Sequence, residues 1–308
     1  MAITFGMHVG QQNITIEELR RLWTLADNNG FAWLSVWDHF YCATSDEDPH
    51  FEAVALMGAL AAETKNIRFG CMVFAAPFRN LGMLAKSMIT IDHLSGGRVE
   101  FGLGAGWHEP EFRAFHYDLL PVKQRLDRVE EAMVVMRSFL DNEVTDHHGE
   151  YFDFTNAYMN PRPLGTLPLW IGGLGETRTA RMAAKYADGW NIPYVGPGAY
   201  AHKVDVLREW CEKEGRDPAE VKTATQLGFF MAASDDPDVM AAAEAEMKRK
   251  TPHQTPSGQL AGSPAQVIER LKKFEEAGAT NINIAFRPGI DWEALDVFVR
   301  DVMPEFKA

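Results

Sequence analysis

Short runs of β-branched and aromatic residues alternate eight times with segments whose apolar residues recur every three or four positions, and this alternation most limits the fold. The strand-like runs are ITFGMH from Ile3 to His8, WLSVW, IRFGCMVF, VEFGLG, PLWIGG, GWNIP, KTATQLGFFMA and NINIAF. At least one helical pattern follows each. Thr15 and Glu18 stand at capping-box spacing before Leu19, Leu22, Trp23 and Ala26. Val122, Leu126, Val129, Met133, Met136 and Leu140 form the longest apolar stripe. Ser263, Pro264 and Gln266 open another helix. Eight β–α repeats in 308 residues predict an α/β fold, a single (β/α)8 TIM barrel. Residues 143–158 are short, aromatic and turn-rich and predict a mid-chain hairpin insertion. The segment 237–250 adds an extra helix near the C-terminus, and 251–262 reads as a mobile polar loop without a period. No linker-like shift in composition divides residues 1–308, which predicts one domain.

Two glycine clusters fall where strands end. The first, GLGAG, carries Gly102, Gly104 and Gly106; the second, GGLGET, carries Gly172, Gly173 and Gly175. Neither has the G-x-G-x-x-G spacing of a dinucleotide fold, because Trp107 and Arg178 stand where that pattern needs other residues. In a barrel, both clusters lie on the C-terminal rim, where active sites are built. Absent side chains there let a flat ligand or a phosphate approach the backbone. Thr177 begins a helix, whose free N–H groups favour an anion. His8, Asp38 and His39 end other strands on the same rim.

Other chemistries fail on spacing. HEPEF has one His and a Pro110, so it is no zinc-binding H-E-x-x-H. No metal site is expected. His147 and His148 have no evident carboxylate or thiol partner and read as solvated, as does the run Lys248 to Lys250. A net charge of −13 argues against nucleic acid or an acidic membrane as partner. Cys42, Cys71 and Cys211 are sparse and odd in number, which predicts free thiols and a cytoplasmic location. The opening MAITFGMHVGQQ lacks the features of a signal peptide.

Taken together, SVWDHF, the run from Ile67 to Phe112, LPLWIGGLGETRTARMAAKYADGWNI and GQLAGSPAQVIERLKKFEEAGATNINIAF resemble the luciferase-like monooxygenase family of flavin and deazaflavin oxidoreductases. The resemblance covers nearly the whole chain and is strongest to the branch using coenzyme F420. It implies a tricyclic ring across the barrel mouth beside His8, Asp38, Gly104, Ala105 and Gly106. It implies a phosphate at Gly172, Gly173, Leu174 and Thr177, and a non-prolyl cis peptide at Met72–Val73 beneath the ring. Arg79 or the Lys248 to Lys250 run would meet the acidic tail of F420. Sugar-phosphate and alcohol dehydrogenases of the family place a Glu after the glycine matching Gly106 and a Trp four residues after the His. Trp107 and Ala43 stand there in this chain, which leaves that acid–base pair incomplete.

The resulting expectation is hydride transfer between coenzyme F420 and a small organic substrate. His39 or His108 would exchange the proton and Asp38 would orient His39 or the cofactor. The alternative is an FMN-dependent monooxygenase supplied with reduced cofactor by a separate reductase. A third reading is a barrel that binds a ligand without turnover. A homodimer is expected in the first two.

Overall fold

The computed structural model describes residues 3–42, 47–251, 254–287 and 289–306. The first four strands are β1 (Thr4–Val9), β2 (Trp33–Val36), β3 (Arg68–Ala75) and β4 (Val99–Gly104). An antiparallel hairpin of β5 (Val144–His148) and β6 (Asp153–Tyr158) follows. The rest are β7 (Leu169–Gly172), β8 (Gly189–Asn191), β9 (Lys222–Met231), β10 (Gln259–Gly262) and β11 (Asn281–Phe286). Among the described residues, eight parallel strands run in the order β1-β2-β3-β4-β7-β8-β9-β11. β11 pairs back onto β1 from Thr4↔Asn281 to Val9↔Phe286 and closes the (β/α)8 barrel.

The helices outside it are α1 (Ile16–Asn28), α2 (Ala53–Glu63), α3 (Leu81–Ser95), α4 (Glu109–Ala114) and α5 (Val122–Asp141). They continue as α6 (Arg178–Tyr186), α7 (Pro197–Glu214), α8 (Pro237–Lys250), α9 (Pro264–Glu276) and α10 (Trp292–Val297). Their ends follow from local chemistry. Thr15 with Glu18 and Ser263 with Gln266 form the two expected capping boxes. Gly96 stops α3 at φ 71°, the left-handed conformation that glycine adopts without a Cβ clash. The stripe expected on α1 is buried, and that on α5 is buried from Val129 through Met133 and Met136 to Leu140, while Val122 at its start is exposed and Leu126 only partly covered. The described residues contain no helix long and apolar enough to cross a membrane.

Two sequence expectations change. Residues 251–262 are not an unbroken loop: Pro256–Gly258 is a 3-10 turn, and β10 pairs with Gly228–Met231 of β9. Pro252 and His253 lie outside the described residues. The cause of β10 is the short β8, which covers only Lys222 to Ala224 of β9 and leaves the rest of that edge to be paired. His147 and His148 do have carboxylate partners: Glu131, 3.1 Å from His147, pins the hairpin to α5, while Asp153, 2.8 Å from His148, lies within the hairpin, where His148 is exposed as expected.

The barrel interior is asymmetric along its axis. At its N-terminal end large side chains fill it: Arg68 Nε lies 2.5 Å from Glu100, Trp170 Nε1 donates to the same carboxylate at 2.8 Å, and Trp33 stacks on Trp170. Towards the C-terminal end the inward positions become Gly102, Gly104 and Gly172. A Cβ on each would come within 2.6, 2.5 and 2.8 Å of a Val73 methyl. The alternating glycines therefore make room for Val73, which projects into the mouth where β3 shifts register against β4 between Cys71 and Phe74. The Met72–Val73 peptide in this bulge is cis, as the resemblance implies. Gly104→Ala is expected to destabilise the fold by about 1–3 kcal/mol in urea unfolding, through overpacking against Val73. The double variant with Val73→Ala should recover most of that loss, whereas strict additivity would disprove the contact.

Candidate active site

The rim positions chosen from the sequence separate into two groups. One surrounds Glu111, a residue the sequence did not single out. α4 begins directly after the β4 glycines, with Pro110 in its first turn, and turns Glu111 back beneath the rim, where its side chain has no solvent exposure. Glu111 Oε1 accepts from His39 Nδ1 at 2.6 Å and His108 Nδ1 at 2.7 Å, while Oε2 accepts the Phe40 N–H at 2.7 Å. An ionised carboxylate only accepts, so both rings carry hydrogen at Nδ1 and present Nε2 on their far sides. Burial alone would raise the Glu111 pKa. Hydrogen bonding and charge from His39, with the Phe40 amide and His108, outweigh burial and lower it.

His39, His108 and Glu111 are also a set that could in principle hold a divalent cation. Two ligands of one tetrahedral zinc at ordinary bond lengths are separated by about 3.3 Å. The 2.6 and 2.7 Å contacts are shorter and match charge-assisted hydrogen bonds.

Trp107, 62% exposed, lies with its ring 5.7 Å from that of His39 and gives this side of the mouth an aromatic wall. Trp107 puts no carboxylate there, and Glu111, buried with both oxygens engaged, serves the two histidines and not the open mouth. Ala43 lies outside the described residues.

Asp38 belongs to a different network. Its Oδ2 accepts from the Ala75 N–H at 2.9 Å and Arg79 Nη1 at 2.7 Å, bracing the end of β3. Orientation of His39 falls to Glu111 instead. Arg79 also holds Glu52 at 2.7 Å; burial opposes its charge, yet the bonds to Asp38 and Glu52 raise its pKa. Lys248 pairs with Glu244, and Arg249 and Lys250 pair with Glu246. The cations expected to receive an acidic tail are therefore already matched by carboxylates. His8 is buried with Nδ1 2.5 Å from Ser35 Oγ, and burial, with the nearby Arg287 and His39, lowers its pKa well below the ordinary imidazole value. Burial also lowers the pKa of His50, whose ring lies 6.3 Å from that of His39, to about 4.

The second group is the turn after β7. Gly172 makes room for Val73, and Gly173 has φ 137°, a conformation that side chains resist. Leu174 is 47% exposed and Thr177, also exposed, caps α6 without a side-chain hydrogen bond. The turn is fastened by Trp190 Nε1 to the Gly173 carbonyl at 2.8 Å and by Lys203 Nζ to the Leu174 carbonyl at 2.6 Å. Gly106, at φ 69°, has another cause: a Cβ there would lie 2.5 Å from the Phe112 ring. Ala105, beside it, is partly exposed on the rim.

Whether this mouth suits a polar tricyclic cofactor can be tested on its buried polar atoms. Asn191 Oδ1, beside Gly172 at the C-terminal end of β8, is buried and has no hydrogen-bond partner. Burying such a group unpaired is costly, and a ligand rich in N–H and hydroxyl groups would satisfy it. The residues fit the group.

A family model described as luciferase-like monooxygenase matches residues 1–259. An F420-dependent glucose-6-phosphate dehydrogenase from Segniliparus rotundus is 26% identical over 341 aligned positions, covering 100% of this chain and 99% of the relative. An F420-dependent secondary alcohol dehydrogenase, solved with an F420–acetone adduct, superposes with TM-score 0.84 at 20% identity, covering 100% of both chains. A monooxygenase from Streptomyces bottropensis gives TM-score 0.84 at 18% identity, covering 99% of this chain and 100% of the other. With a family model spanning most of its length and the barrel closed as described, the chain belongs to the luciferase-like monooxygenase family.

Proposed function

We propose that this protein is an F420-dependent oxidoreductase acting on a small organic substrate, with His39 as the residue that exchanges the proton. The observation that carries the chemistry is the buried Glu111 shared by two imidazoles at a glycine-lined barrel mouth. Coenzyme F420, with carbon in place of the flavin N5, supplies hydride transfer without ready activation of oxygen. The full-length similarity to F420-dependent dehydrogenases favours it over FMN.

In this reading Val73 and Met72 form the floor under the ring. His8, kept neutral, lines one side, while Gly104, Ala105 and Gly106 line another. Gly172, Gly173, Leu174 and the amides near Thr177 receive the phosphate. Glu111 holds His39 in the tautomer that presents Nε2, so this atom can accept a proton from substrate or return one. Asp38 acts at a distance, by fixing the end of β3 through Ala75. The protein is read as a cytoplasmic homodimer, with exposed Met83 and Leu94 on α3 available to a second copy.

Titration of the purified protein with both cofactors tests the assignment. F420 is expected to bind more tightly than FMN. Because Arg79 and the Lys248 to Lys250 run are already paired, added salt should change that preference little. Tighter FMN binding, with oxygen consumption when reduced FMN is supplied by a reductase, would replace this reading with the two-component monooxygenase.

A further inference from the structure

Among the described residues most partly buried arginines are matched by carboxylates or carbonyls; two have no ion pair and at most one long hydrogen bond, Arg128 on α5, which lies over the Tyr151 ring away from the mouth, and Arg287. Arg79 holds Asp38 and Glu52, Arg68 holds Glu100, and Arg178 holds Asp127 and Glu130. Arg98 has no carboxylate but donates to the carbonyls of Ser95, Ile67, Ala61 and Thr64 and to the Thr64 hydroxyl. Arg287 is partly buried and offers five N–H donors, yet its hydrogen bonding amounts to one 3.4 Å contact with the Tyr194 hydroxyl. Among the described residues it joins no ion pair.

Its surroundings explain what remains free. The guanidinium carbon lies 5.2 Å from the Trp37 ring centre and 5.5 Å from that of Tyr194. These aromatic contacts cover the charge without satisfying its donors, which lie in the guanidinium plane. Two titratable neighbours, His8 and Tyr194, are kept neutral chiefly by burial. Arg287 also lines a cavity of about 200 Å³ that contains Glu246 and Asp291. Glu246 is held by Arg249 and Lys250, and Asp291 accepts the Ala294 N–H as the cap of α10. In a chain with 43 acidic residues, a rim arginine without a carboxylate is a position left open for an outside anion.

The location argues which anion. Arg287 directly follows β11, whose last residue pairs with Val9 of β1, so it sits on the C-terminal rim. The phosphate turn follows β7, three strands round from β11 and four from β1, across the mouth. We propose that Arg287, clamped between Trp37 and Tyr194, receives an anionic group of the substrate, and that the substrate class is a small organic carboxylate. The planar fork matches a carboxylate through two parallel N–H···O bonds. This rests on the reading of the barrel mouth as the reaction site given under Proposed function.

The test uses the intact protein, with and without F420, and a panel of propionate, pyruvate, benzoate and 4-hydroxybenzoate, each beside its primary amide. Binding is followed by calorimetry and ligand-observed NMR. At least one acid should bind about tenfold or more tightly than its amide; Arg287→Met should remove that preference and Arg287→Lys restore part of it. F420 affinity should stay unchanged in both variants, and Arg287→Lys, which keeps the charge, guards against a folding artefact. No acid preferred over its amide, or a preference that survives Arg287→Met, would overturn the inference. So would an equal loss of F420 affinity, which would assign Arg287 to the cofactor. Arg287-dependent acid binding by wild-type protein that fails to bind F420 would instead overturn the cofactor assignment and uphold this one.

Discussion

Glu111→Gln is expected to lower turnover by about 10²–10⁴, the scale seen when an amide replaces a carboxylate that sets an imidazole tautomer. The reason is the number of donors converging on one buried group. Oε1 takes two imidazole N–H groups and Oε2 takes the Phe40 amide. Gln can place its oxygen towards the histidines, but then its NH₂ opposes the Phe40 N–H. In the other orientation the NH₂ faces both Nδ1 atoms and drives the hydrogen to Nε2, the wrong atom for a base. The first arrangement leaves buried donors opposed, at a cost of about 1–3 kcal/mol of stability, and the second satisfies every group only by imposing the wrong tautomer. The informative measurement pairs steady-state rates with an F420 titration: the rate falls and the affinity holds. A variant that keeps the wild-type rate would show that neither tautomer matters to the reaction.

His39→Ala should reduce turnover by about 10²–10⁴ with cofactor affinity nearly unchanged, because its assigned part is proton exchange and not binding. Its Nδ1 partner is shared, so removal leaves Glu111 with His108 and Phe40 and the local fold retains its anchors. Rates measured across pH separate the two imidazoles. Loss of one ionisation from the profile in His39→Ala, retained in His108→Ala, identifies His39 as the exchanging group. The reverse pattern transfers the role to His108.

These two residues show where sequence reading reached and where it stopped. His39 was legible because a polar pair after an apolar strand run stands on the active rim of any barrel. Glu111 was not, because its signal is a carboxylate three residues after a lone His, interrupted by proline, in a stretch that fails every metal motif. Its importance arises only when a six-residue helix turns it under the rim, 72 positions away in sequence from His39. Asp38 was legible as a rim residue, but its partner Arg79 comes from beyond the next strand, so its bracing role was not.

By itself the sequence determined the eightfold alternation, the helix caps, the hairpin and the positions of the glycine clusters. Each depends on residues within one turn or one strand, where spacing and backbone preference act directly. Tertiary structure decided why the glycines are there, since Gly102 and Gly104 on one strand and Gly172 on another meet the same Val73 from a third. It also decided which charges are available: Arg79 and Lys250 are matched, and Arg287 is not. Those outcomes depend on distances of a few ångströms between segments remote in the chain, and Coulomb pairing and steric exclusion at that range leave no periodicity for a sequence to display.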